Sequence, residues 1–95
     1  MAVVGEVRIV DASRAEYDAL DERVSAATKT MGGPPAGFMV TVVRPDSDGF
    51  LMTEVWRTES EMRRFHEAVV VPAFAELGLN AQELEVWPVW GFARP

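Results

Sequence analysis

Cysteine is absent from the 95 residues, so disulfides, thiolate nucleophiles and cysteine metal sites are excluded, and a reducing compartment fits. Histidine occurs once, too seldom for a histidine-rich metal centre, which needs several convergent ligands. Lysine also occurs once, and the eight arginines are scattered through a chain of net charge −6. Phosphate backbones are bound by clustered cations that displace counterions, so nucleic acid is not an expected partner. No apolar run approaches the roughly 20 residues that span a bilayer, and no basic segment leads into an apolar core near the start. No membrane association and a cytoplasmic location are expected. Nothing repeats, and Gly32-Gly33 is followed by prolines, so there is no phosphate-cradling motif.

What is present is apolar bulk. Three Trp, five Phe and five Met are many large side chains for one short domain spanning residues 1–95. A chain of this size buries only a little over ~60% of the surface its unfolded form exposes. Surplus apolar surface marks a ligand cleft or a partner face, and a homodimer is the economical expectation.

The order of elements follows from periodicity. Val3 to Val10 alternates like a strand with Val3, Val7 and Ile9 on one face. Ser13 and Glu16 have capping-box spacing and open a helix whose apolar stripe is Tyr17, Leu20, Val24, Ala27 and Met31. Gly32-Gly33-Pro34-Pro35 ends it. Gly37–Arg44 and Phe50–Arg57 form two strands of an antiparallel hairpin around a five-residue loop from Pro45 to Gly49. That loop length pairs Arg44 with Phe50 and Val42 with Met52, and places Phe38, Val40, Val42, Met52, Glu54 and Trp56 on one face. Thr41, Val43, Thr53, Met39, Leu51 and Val55 take the other, which suits sheet packing in a dimer. Thr58 and Glu61 open a second helix with Met62, Phe65 and Val69 inward. Pro72 predicts a kink or break near Val70, and Gly78 a stop. Glu83 to Phe92 reads as the last strand, apolar on both faces and so covered on both sides. The sum is β-α-β-β-α-β, the ferredoxin-like α+β sandwich on an antiparallel four-stranded sheet.

Pro34-Pro35-Ala36-Gly37-Phe38, Asp48-Gly49-Phe50, the run Glu54 to Glu61 with Phe65, Val71-Pro72-Ala73-Phe74 and Val86-Trp87-Pro88-Val89 together resemble the dimeric α+β barrel superfamily. The likeness is to its antibiotic-biosynthesis-monooxygenase group. The resemblance implies a homodimeric barrel with an apolar cleft between sheet and helices. It also implies oxidation of planar, polyketide-like phenols without metal or flavin, so no cofactor, with cyclases and isomerases among the relatives. It would place histidines where this chain has Phe65, Thr41 and Trp90.

Glu54 is the expected catalytic residue: a carboxylate among Val40, Met52 and Trp56 is desolvated, which raises its pKa and suits a general base. The alternative is an ion pair with Arg8 or Arg57. Trp56 reads either as a stacking surface for a planar substrate or simply as core, beside a cleft lined by Phe38, Met52, Phe65, Trp90 and the Tyr17 hydroxyl. His66, flanked by Arg64 and Glu67, reads as a solvated or salt-bridged surface group. A non-catalytic dimeric module for small ligands or for assembly is the competing function.

Overall fold

The computed structural model describes residues 1–93. Strand β1 (Val3–Val10) alternates as expected, with Val3, Gly5, Val7 and Ile9 buried beneath the helices. Helix α1 (Arg14–Thr30) starts at the expected cap, where the Glu16 carboxylate accepts from the Ser13 N–H and Oγ–H, each at 3.1 Å. Leu20 is its buried anchor. Met31, expected on the stripe, caps the helix end and is exposed.

Strands β2 (Phe38–Asp46) and β3 (Gly49–Trp56) form the hairpin, but with a two-residue turn, Ser47-Asp48, in place of five. Asp46 pairs with Gly49 and Pro45 with Phe50, one residue out of the expected register. A slip of one turns each side chain to the opposite face. Thr41 and Val43 therefore look toward the helices, while Val40 and Val42 look away, Val42 being 60% exposed. An irregularity between Phe38 and Val40 restores the expected pairing of Phe38 with Trp56.

The second helical stretch is continuous: α2 (Glu59–Phe65), a π-helical segment (His66–Val70) and α3 (Val71–Leu77). Thr58 caps it, accepting from the Glu61 N–H at 3.3 Å and donating its hydroxyl to Glu61 Oε1 at 2.7 Å. Hydrogen bonds from Arg57 and Thr58 hold the Glu61 carboxyl below its ordinary value of 4.5. That contribution to the cap is present above pH 4.5 and is lost as the pH falls below it. Pro72 does not break the helix. Its missing N–H and its ring disfavour an ordinary turn, and the wider π turn, in which the Val71 N–H reaches the His66 carbonyl, relieves the clash. Gly78 closes the helix at φ 64°, a left-handed conformation that costs a side-chain-bearing residue about 1–2 kcal/mol. Gly78→Ala should lose about that much stability in urea denaturation, with no change in the site described below.

The expected last strand is replaced by two short ones, β4 (Asn80–Ala81) and β5 (Glu85–Pro88), both paired with β1. All pairings are antiparallel and the order is β2-β3-β1-β4, with β5 beside β4 on the same flank of β1. Two pieces thus fill the fourth position of the ferredoxin-like sheet. No strand continues past Pro88 among the described residues, and Trp87 is exposed rather than covered. The core lies between the helices and one sheet face, around Ile9, Leu20, Trp56, Met62 and Val70. Met62 reaches the sheet because Gly5 is bare there: a Cβ at Gly5 would meet Met62 Sδ at 2.6 Å. No helix among the described residues is long and apolar enough to cross a membrane.

Candidate functional site

Glu54 sits near the centre of β3, opposite Gly5 on one side and Thr41 on the other. Its side chain points to the helical layer and is 6% exposed. Two buried groups converge on its Oε1: the indole Nε1–H of Trp56 at 2.8 Å and the imidazole Nε2 of His66 at 2.8 Å. An ionised carboxylate only accepts, so with Glu54 charged both nitrogens are donors, and His66 carries its proton on Nε2. Neither expected arginine pairs with it: Arg8 pairs with Asp46, and Arg57 with Glu61 at 3.1 Å. Both bonds fall on Oε1, which leaves Oε2 as the oxygen to meet a ligand.

His66 is the main correction to the sequence expectation. It is 4% exposed and faces the sheet, not solvent. Four residues from Met62 and from Val70, it lies on the inward stripe, and the π segment that begins with it keeps Phe65 and His66 both inside. Phe65, where the sequence resemblance places a histidine, is buried and apolar, and His66 beside it is buried as well. Spacing from Met62 was the signal that could have found it. Exchanging His66 for leucine removes one of the two donors to a buried carboxylate and should cost about 1–3 kcal/mol in urea denaturation.

A cavity of about 260 Å³ opens between α1 and the β2-β3 hairpin, and Glu54 and Trp56 form part of its wall. Tyr17, Phe38, Met52 and Phe65 line it, joined by Leu20, Val24, Thr41, Val43 and Val70. Thr41 and Val43 come from the strand face that the expected register had turned outward. Phe38 meets the Trp56 ring edge-on at 5.4 Å and Phe65 tilts against it at 5.6 Å, so Trp56 is clamped at the cavity wall. Trp90 is not brought to this site; it lies beyond β5 and is 97% exposed. A planar apolar ligand would rest against aromatic walls with a single carboxylate oxygen at its edge. No group of three or more metal-ligating side chains is found among the described residues.

No protein-family model and no curated protein sequence matches the chain. Solved structures do. SnoaB, a cofactor-independent oxygenase from Streptomyces nogalater, superposes as a variant with a TM-score of 0.64 at 16% identity, over 96% of this chain and 94% of that one. Rv0793 from Mycobacterium tuberculosis gives 0.63 at 14% identity, over 99% and 100% of the two chains. A candidate antibiotic biosynthesis monooxygenase from Chloroflexus aurantiacus gives 0.58 at 22% identity, over 96% and 97%. The chain thus has the ferredoxin-like α+β fold of antibiotic-biosynthesis-monooxygenase structures along almost its whole length.

Proposed function

We propose that this protein is a homodimeric, cofactor-free enzyme acting on a planar, largely apolar, polyketide-like small molecule. The observation that carries the proposal is the Glu54 carboxylate at the wall of an apolar cavity, its Oε1 held by Trp56 and His66. Glu54 is the proton acceptor. Its Oε2 takes a proton from an acidic C–H or phenolic O–H of the ligand and leaves an enolate or phenolate against the aromatic walls. Trp56, fully buried between Phe38 and Phe65, and His66 are positioning residues that fix the carboxylate's rotamer. Capture of the anion by molecular oxygen and a proton gives a hydroperoxide, whose loss of water leaves one oxygen atom on the product as a carbonyl, a monooxygenation; the printed name of the Streptomyces nogalater protein of this fold is a cofactor-independent oxygenase. Ring closure or reprotonation would make it a cyclase or an isomerase. The outward sheet face, with Val40, Val42 and Val55, is the surface proposed to meet a second copy.

A panel of aromatic polyphenols, incubated with the protein and followed by oxygen uptake and product mass, tests the proposal. Oxygen consumed in step with product formation supports it. Tight binding with no product would identify a ligand-binding module instead, and sedimentation as a monomer would remove the dimer.

A further inference from the structure

The polar groups lining the cavity are nearly all acceptors. Glu54 Oε1 takes both nearby N–H donors, those of Trp56 and His66, so neither is left for a ligand. The Thr28 hydroxyl donates to the Ser25 carbonyl at 2.9 Å and the Thr41 hydroxyl to the Thr53 carbonyl at 3.3 Å, so each meets a ligand through oxygen lone pairs. Pro34 and Pro35 join the lining with no N–H to give. Only the Tyr17 and Ser25 hydroxyls are free to turn either way. Among the described residues no arginine or lysine lines the cavity, while two carboxylates do, Glu54 on the sheet and Asp21 on α1.

Asp21 follows Tyr17 by four residues and precedes Ser25 by four, which keeps all three on the cavity side of the helix. It is exposed at the open side, whereas Glu54 is buried. The fold gives it no counter-charge among the described residues. The two nearest cations along its own helix are engaged elsewhere, Arg14 with Asp18 at 3.0 Å and Arg23 with Glu76 at 2.8 Å.

A wall that accepts without donating fits a ligand that donates, and two uncompensated negative charges favour a positive one. From this arrangement, and resting on the reading of the cavity as the place where Glu54 works, we infer that the planar ligand carries an amine, bound as the ammonium at Asp21 with the ring system reaching inward to Glu54. Burial fixes the orientation. An ammonium at Glu54 would give up its water, whereas at Asp21 it keeps solvent on one side. Ser25, one turn further along α1, can accept a second ammonium N–H. Asp21 and Ser25 are then specificity residues, and the same lining disfavours a ligand carboxylate.

Titration calorimetry at neutral pH with anthracenylmethylamine, anthracenylmethanol and anthracenecarboxylate tests the inference without any turnover, since the three share a ring system and differ in charge. The amine should bind roughly fivefold more tightly than the alcohol, the upper end for an exposed ion pair, and the carboxylate most weakly. Asp21→Asn should bring the amine down to the alcohol's affinity with the urea midpoint unchanged. Added salt should narrow the wild-type preference, because Asp21 is exposed. Equal affinity for amine and alcohol, tightest binding of the carboxylate, or an amine preference that survives Asp21→Asn overturns the inference and leaves the role of Glu54 standing. Failure of all three probes to bind overturns the cavity as a ligand site, and the proposed function with it.

Discussion

Glu54→Gln should lower turnover by roughly 10²–10⁴-fold, the usual contribution of a positioned general base, while ligand affinity stays within a few fold. The carboxamide keeps the shape of the side chain and an oxygen that can accept from Trp56 and His66, so the three-residue arrangement persists. What it loses is the oxygen that can take a proton. Oxygen uptake measured on the polyphenol panel, beside a urea unfolding curve, separates chemistry from stability. An unchanged urea midpoint with lost turnover is the expected result. Turnover near the wild-type rate would show that Glu54 is a buried structural acid.

The largest effect on stability is expected at Trp56. Its side chain is fully buried, touches Phe38 and Phe65, and donates to Glu54. Trp56→Ala leaves a cavity that costs about 3–5 kcal/mol, and it also takes a donor from a buried carboxylate. Small domains are held by only about 5–15 kcal/mol in total. Each kcal/mol is worth roughly 4–8 °C at this size, so melting should fall by roughly 12–40 °C. Trp56→Phe separates the two roles. It keeps most of the apolar contact and deletes only the N–H, so it should stay folded with a smaller loss of stability, yet turn over slowly because the carboxylate has lost one of its two anchors. Calorimetric melting and turnover on the same preparations check both variants.

Local determinants were the most legible. Ser13 with Glu16 and Thr58 with Glu61 start helices where sequence spacing places them, because a cap is decided within four residues. The alternation of β1 and the β-α-β-β-α-β order were equally plain. The hairpin turn was not, because Pro45 and Asp46 are turn-forming residues standing in a strand. Pro45 is tolerated on the edge strand β2, and Asp46 is held there by ion pairing with Arg8. The one-residue error moved Val40 and Val42 to the wrong face, but Phe38 stayed on the right one because the irregularity beside it cancels the slip. His66 was misjudged from its charged neighbours Arg64 and Glu67, which point elsewhere on the helix, when its four-residue steps from Met62 and to Val70 mark the inner face. Trp90 lies outside the site because the alternation that would carry it there ends with β5 at Pro88. The contact of Glu54 with Trp56 lies within β3, two residues apart, but its contact with His66 depends on two elements meeting across the core, and no local pattern encodes that.

On the proposed function, Glu54 takes a proton from a planar ligand whatever reaction follows. Anaerobic incubation of the protein with anthrone in deuterium oxide, followed by proton NMR of the acidic methylene, measures that step alone. Exchange accelerated by the wild-type protein and reduced to the solvent rate by Glu54→Gln is the predicted result. Acceleration of equal size in both proteins would contradict it.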